Sequence, residues 1–185
     1  YNLTSGQVFE NNGEKQRGGA GCGCASTTAD GNGRALWAGG FSDAGLTDDV
    51  ESWGVAPAFH RRGEPSFKCT APRRDVGATV CGGLFVVAGG SGKSYAVDKE
   101  AQHRRRKRGP SPSPPSGKGG LTSVDIFNAS DTAGGKPIAV QQLDTGLVSP
   151  MVACLADRYA VITGGLAAGS CNNRVWVLDT HTGAF

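Results

Sequence analysis

Apolar residues in this chain gather in short runs, each ended by glycine or another turn former. Ala35-Leu36-Trp37-Ala38 runs into Gly39-Gly40, Leu84-Phe85-Val86-Val87-Ala88 into Gly89-Gly90, and Tyr159-Ala160-Val161-Ile162-Thr163 into Gly164-Gly165. Apolar runs of this length, bounded in this way, read as strands. Gly or Pro interrupts nearly every window of helical length, so no long amphipathic helix is predicted. Small-residue strands precede the second and third glycine pairs, over Gly77 to Cys81 and Met151 to Cys154. Asp30-Gly31-Asn32-Gly33 supplies a tight hairpin before the first. Alternating segments follow each pair: Val50-Glu51-Ser52-Trp53, Val124-Asp125-Ile126-Phe127 and Val175-Trp176-Val177-Leu178. The residue after each is Gly54, Asn128 or Asp179, all turn formers.

Each unit therefore reads as strand A, hairpin, strand B ending in Gly-Gly, long loop, strand C, turn, strand D. The first two glycine pairs stand 50 residues apart and the next two 75. Removing a 22-residue insert, 98–119, reduces the second spacing to 53. Glycine suits the end of strand B because a residue without Cβ allows positive φ and close approach of a neighbouring backbone.

With this period and these glycine pairs, the chain resembles the kelch repeat family, whose motif couples a strand-ending Gly-Gly to a later aromatic pair. Trp53 and Phe127 hold the first aromatic position, while the third copy has Leu178 there; Phe59 and Phe185 are the candidates for the second. The resemblance implies an all-β, kelch-type β-propeller, with repeats at 22–75, 76–149 and 150–185, the last continued in phase by 1–9. Tyr1-Asn2-Leu3-Thr4-Ser5-Gly6-Gln7-Val8 aligns with the last eight residues, so the chain holds about three four-stranded blades. Propellers close with about four to eight blades. The expectation is a fragment of a larger ring, with completion by an oligomer as the lesser alternative.

The family's rim loops imply a protein-interaction scaffold, an adaptor for a larger complex, with a protein partner and no cofactor. The alternative implied is a propeller enzyme of galactose-oxidase-like (copper) or sugar-isomerising type, with its active site outside this segment. Of the Tyr and His residues a copper site would draw on, Tyr1, Tyr95 and Tyr159 are none of them beside a histidine. His60, His103 and His181 are isolated, so no catalytic set and no metal site is predicted.

Charge alters the picture in one place. The chain has a net charge of +3, but the insert carries seven basic and two acidic residues, leaving the remainder at −2. The basic pI is thus no nucleic-acid signature for the fold. Within the insert, Arg104-Arg105-Arg106-Lys107-Arg108 is followed by Pro and Ser, a composition with nothing to bury, so disorder is expected. In an up-and-down blade the B–C loop shares a rim with the D–A connections, which also carry Lys15, Arg17, Arg61, Arg62, Arg73 and Arg74. Arg104 to Arg108 with Arg61 and Arg62 are the candidate contacts to an acidic partner; the run also fits a nuclear-import signal. Phosphorylation of Ser111 or Ser113 would weaken such an attraction. The reading without function is a solvated insertion, since long surface loops cost little stability.

Two motifs carry less than they promise. Gly89-Gly90-Ser91-Gly92-Lys93-Ser94 suggests a phosphate loop, but the motif needs Gly where Val87 stands. Cys22 and Cys24 form a C-x-C without a second ligand pair. Six cysteines are too few for a disulfide-stapled mini-domain, and Cys81 and Cys154 are expected to be small buried hydrophobes. Asn2-Leu3-Thr4 and Asn128-Ala129-Ser130 match the glycosylation sequon, which matters only in a secreted protein. With no signal peptide and no long apolar run in the sequence, an intracellular location, cytoplasmic or nuclear, is expected.

Overall fold

The computed structural model describes residues 22–27, 33–42, 45–54, 60–61, 67–92, 119–131 and 134–185. These residues form antiparallel β-sheets, with no helix among them and no sheet closed into a barrel. The first sheet contains β1 (Cys22–Thr27), β2 (Gly33–Ala38) and β5 (Asp49–Gly54), with two short strands, β6 (His60–Arg61) and β7 (Phe67–Lys68), both paired to β5. The second is a four-strand meander of β8 (Gly77–Cys81), β9 (Leu84–Ala88), β10 (Leu121–Asn128) and β11 (Ala139–Leu147). The third holds β12 (Met151–Leu155), β13 (Tyr159–Thr163) and β16 (Val175–Asp179). Small hairpins, β3 (Phe41–Ser42) with β4 (Gly45–Leu46) and β14 (Leu166–Ala167) with β15 (Ser170–Cys171), fill the loops after the first and third glycine pairs.

The second sheet lies between the other two, which explains its composition. Phe85, Val87 and Phe127 turn to the first sheet, where they meet Leu36, Ala38, Val50 and Phe67. Val86, Ala88, Val124 and Ile126 turn to the third, against Ala160, Ile162 and Leu178. A strand covered on both faces has no polar side, so β9 reads as an unbroken apolar run. Phe127 packs its ring, tilted, against Phe67 at 5.2 Å and Phe85 at 6.3 Å between centroids. Each fully buried ring contributes roughly 1.5–3 kcal/mol. Leu178 pairs with Ala160 as Phe127 pairs with Phe85, so it fills the aromatic's place in the third unit. Phe59 lies outside the described residues, and Phe185 is exposed.

One expectation is overturned. Cys81 and Cys154 are not isolated hydrophobes but a disulfide, with Cα atoms 5.2 Å apart. The physical reason is parity. Cys81 sits opposite Leu84 in its hairpin, and the residue opposite the equivalent Tyr159 is Leu155, not Cys154. The two cysteines are thus one residue out of phase, and a shift of one residue turns a side chain to the other face. Cys81 faces forward and Cys154 backward, so they meet between the second and third sheets. Of the free thiols described, Cys171 is exposed, whereas burial pushes the Cys69 thiol up to about 12.

Candidate functional site

The glycine pairs set the geometry of one rim. All six of these glycines have positive φ, from 61° at Gly89 to 117° at Gly40. The second glycine of a pair donates its N–H to the connection leading to the next sheet: Gly40 to the Arg73 carbonyl and Gly90 to the Leu147 carbonyl, both at 2.8 Å. A Cβ on the first glycine would strike the same carbonyls, at 2.4 Å from Arg73 for Gly39 and 2.7 Å from Leu147 for Gly89. A Cβ on the second glycine would strike the preceding connection, at 2.8 Å from the Arg74 carbonyl for Gly90 and 2.6 Å from the Val148 carbonyl for Gly165. The middle pair is therefore gripped between two connections, while the first pair meets the connection after it and the third pair the one before it. At Gly164 no atom lies within 4 Å of the added Cβ.

Backbone bridges continue the pattern. Arg74 pairs with Ser91, and Val148 with Leu166 at the equivalent place. Connections and long loops thus interlock on one rim, as the order of strands predicts. Ser91 pairs in addition with Gly120, so the residues flanking the insert are tied together at that rim.

The same bonds remove the phosphate-loop reading. The N–H groups of Gly89, Gly90 and Ser91, which would have to face a phosphate, are donated to Ser123, Leu147 and Arg74 carbonyls. Lys93 and Ser94 lie outside the described residues.

Cations expected on the rim are differently placed. Arg73 is fully buried, its Nη2 2.9 Å from Asp125 Oδ2 and also donating to Thr70 Oγ1 and Ser123 Oγ. Its Nη1 and Nε reach the Gly89 and Ala71 carbonyls. Asp125, equally buried, takes the Thr70 N–H and hydroxyl as well. This network joins the first connection to β10, and it satisfies a charge pair that would otherwise be costly to bury. Arg74 is buried against Asp75. Lys68 is held by Asp48 at 3.0 Å and Asp49 at 2.5 Å. Neither Arg73 nor Arg74 is therefore a surface contact, although sequence reasoning placed both on the rim.

The other candidates divide as follows. Arg61 lies on β6, its backbone paired with Trp53. Arg62, Arg104, Arg105, Arg106, Lys107 and Arg108 lie outside the described residues, as do Lys15, Arg17, Tyr1, Tyr95, Phe59 and His103. Among the described residues no group of three His, Cys, Asp or Glu side chains is placed to hold a metal. No helix of the described residues is long and apolar enough to cross a membrane.

A second surface had no counterpart in the sequence reading. The outer face of the third sheet is apolar and open: Met151 is 70 % exposed, Leu155 60 %, Val175 59 % and Val177 45 %. Tyr159, Val161 and Thr163 of β13 occupy the positions that Leu84, Val86 and Ala88 hold in β9. In the second sheet that face is the one covered by the third. On the first sheet Trp37, 44 % exposed, stands where β9 has Val87, a residue that faces the preceding sheet.

No family model and no curated protein matches the chain. Among solved structures, the one described as "Structure of YjhT" is similar at a TM-score of 0.54 and 15 % identity, over 91 % of this chain and 44 % of that one. At this identity the likeness concerns the fold alone, and the chain spans less than half the length of that structure.

Proposed function

We propose that the chain is part of a kelch-type β-propeller and works as a protein-interaction scaffold, meeting its partner through the rim of connections and long loops. The observation that carries the reading is the Ser91–Gly120 bridge, which roots the polybasic insert on the rim where loops of successive sheets interlock. Lys68, Arg73 and Arg74 are engaged by Asp48, Asp49, Asp75 and Asp125, and the insert carries five consecutive basic residues, Arg104 to Arg108, for a partner. An acidic protein surface fits it. The propeller reading draws support from the repeated glycine contacts, the open apolar face of the third sheet with the exposed Trp37 on the first, and the fold likeness to a structure more than twice as long as the matched part.

The test is binding of a fluorescent polyglutamate peptide at several salt concentrations, comparing the native chain with one whose Arg104 to Arg108 are replaced by Gln. Five charges at roughly 0.2–1 kcal/mol each predict at least about a fivefold loss of affinity, with the difference shrinking as salt rises. Equal affinity in two proteins of the same unfolding temperature would overturn the proposal.

A further inference from the structure

We infer that Asn128 is an acceptor for an N-linked glycan, and that the chain folds in an oxidising compartment. The sequon Asn128-Ala129-Ser130 alone says little, because Asn is also the residue a strand-to-turn position prefers. Two structural observations change its standing. The first is the Cys81–Cys154 disulfide, a bond that forms and persists in secretory compartments and is rare in the cytosol. In a eukaryotic cell the compartment that makes this bond is also the one in which sequons are modified.

The second is the geometry at Asn128. The residue ends β10 and is exposed, as is Ser130, while Ala129 between them is buried. The Ser130 backbone N–H donates to Asn128 Oδ1 at 3.0 Å, and the Ser130 hydroxyl donates to the same oxygen at 2.7 Å. An N–H can only donate, so the atom it meets is the carbonyl oxygen, and the amide nitrogen Nδ2 turns away from the turn. The hydroxyl is thus already engaged with the amide whose nitrogen must react. Ala129 N–H is bonded to the Gly83 carbonyl, which places Asn128 beside the β8–β9 hairpin. That is the rim opposite the Ser91–Gly120 bridge, because β10 runs from one to the other. A bulky sugar here leaves the loop-built rim and the sheet faces clear.

In the transfer, Nδ2 attacks the anomeric carbon of a lipid-diphosphate-linked oligosaccharide. A C–N bond forms, the C–O bond to the diphosphate breaks, Nδ2 gives up one proton, and the lipid diphosphate leaves. No oxidant or reductant is consumed.

The experiment uses the protein purified from its own cells and the same chain sent through a eukaryotic secretory pathway, with Asn2→Gln removing the other sequon. The expected result is a gel shift abolished by the amidase that releases N-glycans, with Asn128 recovered as Asp carrying heavy oxygen from labelled water. N128Q and S130A lose the shift and S130T keeps it, which separates loss of the acceptor from misfolding. Secreted protein with the Cys81–Cys154 bond formed and Asn128 unmodified overturns the inference. So does native protein in which Cys81 and Cys154 are both free thiols.

Discussion

Alanine at the first glycine of each pair is a graded probe of the grip, because the three positions share a backbone conformation and differ in what a side chain would meet. Gly39, Gly89 and Gly164 have φ of 68°, 61° and 68°. The cost of placing an L-residue in the left-handed region is therefore common to all three, roughly 1–2 kcal/mol. At Gly164 the added Cβ finds open space, so Gly164→Ala should cost little more than this. At Gly39 and Gly89 it lies 2.4 and 2.7 Å from a carbonyl oxygen. That oxygen cannot retreat freely, because it accepts a 2.8 Å bond from the glycine that follows. Forcing the connection outward should add roughly 1–3 kcal/mol, the usual range for overpacking. In a chain of this size about 1 kcal/mol moves the midpoint by roughly 2–4 °C. Gly89→Ala is thus expected to melt roughly 2–12 °C below Gly164→Ala, with Gly39→Ala at least as low. Thermal unfolding followed by circular dichroism, with denaturant titration for the free energies, reads the series. Three equal losses would refute the argument, since the backbone term alone would then account for them.

Three further outcomes follow from the packing and the charge pairs. Asp125→Ala leaves the buried Arg73 guanidinium without its carboxylate and should cost roughly 3–5 kcal/mol in a denaturant titration, while Arg73→Met with Asp125→Leu recovers most of it; a loss under about 1 kcal/mol for the single variant counts against the network. The Arg158 guanidinium, helped by the backbone N–H groups of His181 and Thr182, holds the Asp179 carboxyl down at about 2. Its folded value is below the unfolded one, so its contribution is complete above the ordinary 3.8 and is lost as pH falls through about 2. Carboxyl-carbon NMR should show that midpoint, and Arg158→Ala should return it toward 3.8; a midpoint unmoved by the substitution would be wrong for this pair. Iodoacetamide on the folded protein should label Cys171 and spare Cys69, whose thiol is buried and held up at about 12, with Cys81 and Cys154 reacting only after reduction; peptide mapping that finds Cys69 labelled at the rate of Cys171 contradicts the burial.

Much of the strand arrangement was legible because it rests on local signals. Gly77 to Cys81, Leu84 to Ala88 and Tyr159 to Thr163 are strands with the bounds that apolar runs and glycine stops indicate. Loops yielded less. The β3–β4 and β14–β15 hairpins are two-residue strands, too short for any alternation to show. Arg73 was read as a rim cation because arginine in a connection is usually solvated; its burial depends on Asp125, 52 positions away, which no local pattern links to it. The disulfide was readable in principle. It required asking not only where Cys81 and Cys154 fall in the repeat but which way each faces, and a one-residue offset answers that. The open face of the third sheet was hidden for a different reason: β12 and β13 look like ordinary core strands, and only the coordinates show which side is covered.

The Cys81–Cys154 bond has a topological consequence. Its ends are 73 positions apart, and the stretch they close off contains the whole insert, residues 98–119, together with β9, β10 and β11. The insert is therefore a segment of a covalent ring rather than a link in an open chain. A single break in its backbone leaves one molecule: two polypeptides, joined through sulfur between the second and third sheets and separable only by a reductant. Natural variation could lengthen, shorten or nick that loop without parting the halves of the protein, because the sulfur link holds them together across the break.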